Sequence, residues 1–114
     1  MADTNLIFRT LLKFNSKTNM SGFKYLQKAL EIILDDPDNY KDKLFITKTI
    51  YPEVAKSFGS TAGRVERSIR TYISNGYDDN SAVFHQNGFS FKPTNSHFIS
   101  NIALYITYDN HIIQ

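Results

Sequence analysis

No cysteine occurs among the 114 residues. Disulfide frameworks, Cys-ligated zinc and thiol nucleophiles are thereby excluded, and the usage fits a reducing interior. No apolar run approaches the roughly 18 consecutive residues that a membrane span requires. The opening Met1-Ala2-Asp3-Thr4 has neither the basic region nor the apolar stretch of a secretion signal, so a cytoplasmic protein without a membrane partner is expected. A glycine-rich phosphate loop and a nucleophile elbow are also missing. No catalytic residue, cofactor or small-molecule substrate is therefore expected. His85, His97 and His111 are far apart and lack the i,i+4 spacing of a helical metal site. Asp35, Asp36 and Asp38 lack the alternating pattern and glycine of a calcium loop and read as a solvated helix end.

What remains is an ordinary globular composition, long enough for one compact domain whose core needs no staples. The net charge is only +2, but its distribution is uneven. Between Lys41 and Tyr77, Lys41, Lys43, Lys48, Lys56, Arg64, Arg67 and Arg70 face only Asp42, Glu53 and Glu66. The three arginines fall within seven residues, the local concentration that an electrostatic footprint on nucleic acid requires.

Residues 5–14 are apolar without a clean period and read equally as strand, short helix or arm. From Ser21 to about Asp35, Phe23, Leu26, Ala29, Leu30 and Ile33 recur at helical steps, opposite Lys24, Gln27, Lys28 and Glu31. Asp36-Pro37-Asp38-Asn39 ends that helix. A shorter helix is expected over residues 43–50. Another follows with Pro52 in its first turn, running to Phe58 and stopped by Gly59. Ser60 or Thr61 caps the next, over residues 61–75, which turns Val65, Ile69, Tyr72 and Ile73 to one face. Arg64, Arg67, Arg70 and Thr71 point elsewhere, largely to one flank. Asn75-Gly76 is expected to close this helix, and residues 77–91 to form a loop with a short helix over 81–86. Thr94 caps a last helix holding Phe98, Ile102, Leu104, Tyr105 and Ile106.

Two short helices, a glycine turn and a basic second helix follow helix-turn-helix grammar. Val54 and Phe58 share a face, Ala55 admits close approach, and Val65 packs back; Ser68 stands where a larger apolar residue is usual, with Ile69 beside it. Arg64 in a first turn opposes the helix macrodipole at a cost of about 0.3–1 kcal/mol, which an external anion reverses. Arginine also forks onto guanine O6 and N7, and a carboxylate such as Glu66 accepts from cytosine N4. The plainer reading is a solvated face with Glu66 and Arg70 paired at i,i+4. Phe84, Phe89 and Phe91 fit either single-stranded base stacking or a core.

Three segments carry a more specific signal: Ile50-Tyr51-Pro52-Glu53-Val54-Ala55-Lys56, Thr61-Ala62-Gly63-Arg64-Val65-Glu66-Arg67-Ser68-Ile69-Arg70, and Lys92-Pro93-Thr94-Asn95-Ser96. Together they resemble the C-terminal effector domain of the stage-zero sporulation response regulator of endospore-forming bacteria, a likeness running from about Gly22 to the end. The resemblance implies a six-helix, all-α domain whose fourth helix docks in the major groove of a short box with a guanine- and cytosine-containing core, often as a tandem pair. By matching position, Arg64, Glu66 and Arg67 make or support base contacts. Arg70 and Lys92, with Ser60, Thr61, Thr71 and Lys56, hold the backbone or groove edge. Gly63 stands where that family tends to carry serine, and His97 where a glutamate would complete a capping box with Thr94. The segment before Lys92 is also shorter.

The division expected is an N-terminal extension over residues 1–20 and a helix-turn-helix effector domain over 21–114, with no room for a phosphorylatable receiver domain ahead of Met20. Two functional readings follow. One is a duplex-DNA-binding transcription regulator, acting as a homodimer or tandem pair. The other is an interaction module or decoy that pairs with a full-length regulator and has little DNA affinity.

Overall fold

The computed structural model describes residues 3–40 and 46–108. The segment left open between strand, helix and arm is helix α1 (Thr4–Phe14). It begins at Asp3, whose Oδ1 accepts from the Leu6 amide at 3.0 Å and so satisfies a donor that the first turn leaves unpaired. Ile7, Thr10, Leu11 and Phe14 form its buried stripe, and the helical period is disguised by the threonine on that stripe together with the apolar Leu6, Phe8 and Leu12 off it. Helix α2 (Ser21–Asp35) has the extent its periodicity predicts and buries Phe23, Leu26, Ala29, Leu30 and Ile33. After Asp36 a 3₁₀ turn, Pro37–Tyr40, leads away. Of the short helix expected over residues 43–50, the beginning lies outside the described residues, and Ile46–Ile50 is π-helical. Helices α3 (Tyr51–Phe58), α4 (Ala62–Gln86) and α5 (Asn95–Tyr108) complete the chain. The architecture is all-α: among the described residues there are five α-helices and no strand.

Helix α4 corrects the sequence reading. Asn75-Gly76 does not close it; the helix runs on to a break at Asn80 (φ −149°, ψ 48°) and resumes to Gln86. Residues 77–91 are therefore mostly helical rather than a loop, and the short helix expected over 81–86 is the part beyond the break. Gly76 serves packing instead of termination. A Cβ there would lie 2.7 Å from the Phe14 carbonyl oxygen and 2.9 Å from the Asn15 Cβ. Its φ is not positive, whereas those of Gly59 (60°) and Gly88 (92°) are.

The contact at Gly76 is reinforced by a buried polar seam. Asn15 Nδ2 donates to the Tyr72 carbonyl at 3.0 Å and to Asn75 Oδ1 at 3.2 Å. The Tyr72 hydroxyl donates to the backbone carbonyls of Asn15 and Leu11. Burial raises the Tyr72 pKa well above its ordinary value. Below this seam Phe14 meets Phe84, Phe89 and Phe98 edge-on at centroid distances of 4.9, 6.0 and 5.2 Å. These rings bind the resumed part of α4 and the following loop to α1 and α5. Phe84 and Phe89 are thus core residues, and only Phe91 of that trio is exposed.

The histidines have local roles. His85 Nε2 lies 2.9 Å from the Tyr77 hydroxyl, and His97 Nε2 lies 3.1 Å from Asn101 Nδ2. His111 lies outside the described residues. No metal-binding cluster of His, Cys, Asp or Glu occurs among the described residues.

Candidate nucleic-acid interface

The interface is built from the turn between α3 and α4. Proline in the first turn of α3 leaves no helical hydrogen bond unmade, because that N–H has no intrahelical acceptor. Val54 and Ala55 are buried, and α3 ends where Gly59 enters the left-handed region. The Ser60 amide then returns to the Ala55 carbonyl at 2.9 Å. Thr61, in extended conformation, accepts from the Arg64 amide through Oγ1 at 3.2 Å and fixes where α4 starts. Ser60 carries no cap; its hydroxyl accepts from Tyr25 at 3.2 Å, tying the turn to α2.

Two features of the turn are not visible in the local sequence. The Phe58 ring, on the face predicted to pack, is 41% exposed and rests edge-on against Tyr25 at 5.4 Å. Lys24 Nζ lies over both rings, 5.4 Å from Tyr25 and 5.2 Å from Phe58, which puts an extra positive charge beside the turn.

Val65, Ile69, Tyr72 and Ile73 seat α4 in the core, as their spacing predicts. Gly63, Arg64, Arg67, Arg70 and Thr71 are exposed on the remaining surface. Steps of three and four residues place Arg64, Arg67 and Arg70 or Thr71 along one side of a helix. The arginines differ in what they touch. Arg70 donates to Glu66 Oε1 at 2.7 Å, the i,i+4 pair the sequence suggests. Arg64 and Arg67 have no hydrogen-bonded or ion-paired side-chain partner among the described residues. A Cβ at Gly63 would meet nothing within 4 Å, so the first turn of α4 is open to solvent.

Two clefts flank this helix. One, of about 530 Å³, lies between Glu66, Arg70 and Ser74 on α4 and the segment Lys92, Pro93 and Thr94. That segment is anchored by Asn95, whose Nδ2 donates to the Glu66 carbonyl at 2.9 Å, and by Thr94, whose Oγ1 accepts from the His97 amide at 3.2 Å. Tyr51 forms part of the wall, and burial raises its pKa, opposed by a hydrogen bond with Asn95. The second cleft, of about 500 Å³, lies between Arg67, Ser68 and Thr71 and the chain from Asn19 to Gly22. Lys92 borders the first cleft and donates to Ser74 Oγ at 2.9 Å and Asp78 Oδ1 at 3.0 Å. Lys56, on α3, is exposed.

The geometry is that of an exposed basic helix end, squarely capped and open on both flanks. Three-helix clusters without DNA affinity share such packing, so geometry alone does not assign a family. The family described as "Sporulation initiation factor Spo0A C terminal" matches residues 7–106. The chain belongs to it. The match begins inside α1 and ends inside α5, and so takes in the turn, both clefts and every proposed contact residue. The Spo0A C-terminal family is a family of DNA-binding regulatory domains, not one of enzymes. Sequence reasoning on the Spo0A C-terminal domain did not find Lys24, Asp78 or Asn95. Each acts through a partner on another helix or beyond the helix break, and only the Lys-Pro-Thr-Asn-Ser motif drew attention to the neighbourhood of Asn95.

Proposed function

We propose that this domain is a sequence-specific duplex-DNA-binding transcription regulator that lays the first half of α4 in the major groove. Arg64 and Arg67 are the base-reading groups, each with a guanidinium fork suited to guanine O6 and N7. Glu66 supports them, holding Arg70 in the free protein and offering an acceptor to a cytosine amino group. Arg70, Lys92, Thr71, Thr61, Ser60 and Lys56 lie where the sugar-phosphate backbone or groove edge passes. A recognition helix held between two phosphate strands needs room on each side, and the clefts beside α4 supply it. The protein acts in the cytoplasm, as a homodimer or tandem pair on its site.

One observation carries this reading. Arg64 stands in the first turn of a capped helix, where the macrodipole opposes it, and neither it nor Arg67 one turn on has an ion-paired or hydrogen-bonded side-chain partner among the described residues. An anionic ligand at that end removes the conflict.

The test is a fluorescence-anisotropy titration against a duplex selected from a randomised library and against a random duplex, at two salt concentrations. Affinity for the selected duplex is expected to exceed the other by at least ~10³. A ratio near one would instead favour the interaction-module reading.

A further inference from the structure

The two cations bordering the Lys92 cleft differ from Arg64 and Arg67: each is already held by a carboxylate of α4. Glu66 holds Arg70 at 2.7 Å, and Asp78 holds Lys92 at 3.0 Å. Ser74 and Asp78 are one turn apart on α4 and grip the same ammonium, which also lies 5.9 Å from the centroid of the Tyr77 ring. Lys92 precedes a buried proline, which restricts its backbone, while its side chain is exposed. The continuation of α4 beyond Gly76 is what brings Asp78 to this place.

We infer that Asp78 is an intramolecular competitor for the Lys92 ammonium, occupying in the free protein the position that a DNA phosphate takes in the complex. The inference rests on the DNA-binding reading above. A carboxylate 3.0 Å away cancels most of the ammonium's field at the distance of an approaching phosphate. A phosphate reaching Lys92 without displacing Asp78 would also meet that negative charge. Every duplex, selected or random, must therefore break the pair. Asp78 lowers backbone-derived affinity evenly and leaves discrimination to the unpaired arginines. It is a positioning residue, acting through Lys92 without touching a base.

The experiment measures Asp78→Asn, Lys92→Met and the double variant, in the full chain, on both duplexes across a salt series. The pair is exposed, so relief of the competition is expected to tighten binding of Asp78→Asn roughly two- to five-fold on both duplexes. The ratio between them stays unchanged, and the salt dependence steepens by up to about one released counterion. In the Lys92→Met background the same substitution is expected to have little effect. Asp79→Asn removes a neighbouring charge whose partner is Lys17, and should tighten binding less. An unchanged affinity for Asp78→Asn overturns the competitor role, as does an equal gain with Lys92 absent, which marks a general charge effect. Failure of the unaltered chain to bind either duplex overturns the DNA reading itself, and the competitor role with it.

Discussion

Gly22 on α2 lies against the Ser68 carbonyl of α4 so closely that a Cβ on the glycine would sit 2.3 Å from that oxygen. The Tyr72 Cβ would be 2.5 Å away. Both neighbours are fixed parts of a helix, so the helices must part to admit even a methyl group. Gly22→Ala is expected to cost ~1–3 kcal/mol, the range for an overpacked core, and to lower Tm by several degrees. It should also weaken DNA binding, because α2 sets the height at which α4 is presented. A thermal melt within a degree of the unaltered chain would show that the approach is not tight.

The carbonyl in this contact belongs to Ser68, which stands where helix-turn-helix grammar prefers a larger apolar residue. Ser68 is half-buried at the edge of the second cleft, and Ile69 carries the burial instead.

Gly63→Ala should have the opposite effect. The position is helical, its φ is not positive, and a Cβ there meets nothing within 4 Å. Restricting the unfolded chain without new strain is expected to add about 0.4–1 kcal/mol of stability. Denaturant titration checks this: the midpoint rises with an unchanged slope. A lower midpoint would mean that the glycine has a conformational role.

The Tyr72 pKa gives a pH dependence with a definite sign. Burial raises it from an ordinary 10.0, so the unfolded chain releases this proton first as pH rises. The contribution of the neutral hydroxyl is complete below pH about 10 and is lost as pH climbs from there toward the folded value, by up to about 1.4 kcal/mol per pH unit. Tyr51 adds in the same direction. Equilibrium unfolding followed from pH 8 to 11 should show stability falling only in the alkaline part. Tyr72→Phe should flatten that fall, while costing roughly 1–3 kcal/mol at neutral pH for the carbonyls it leaves unpaired. A decline no shallower in the variant would contradict the assignment.

These cases mark what the sequence makes legible. The bounds of α2, the Pro52 start, the Gly59 stop and the Thr61 cap were readable because each is decided by residues within one or two turns. The core face of α4 follows from the same local period. Gly76 was misread because its reason lies 61 and 62 residues earlier, at Asn15 and Phe14, where α1 crosses. Helix α1 itself is hidden by apolar residues off its buried stripe, Leu6, Phe8 and Leu12, and by a threonine on it. The basic side chains are visible as a cluster, and so is the i,i+4 pair of Glu66 and Arg70, but not that Lys92 is held. That hold depends on Asp78, which reaches Lys92 only because α4 does not stop at Gly76.

Base reading by a guanidinium of α4 is tested most directly by a cycle between Arg67→Ala and a selected duplex in which one contacted guanine is replaced by 7-deazaguanine, which lacks the N7 acceptor. The unaltered protein is expected to lose roughly five- to ten-fold in affinity at one guanine of the site, about 1–1.4 kcal/mol. Arg67→Ala, already weaker on the unmodified duplex, should lose nothing further. Equal losses for both proteins at every guanine of the site would contradict base reading by Arg67.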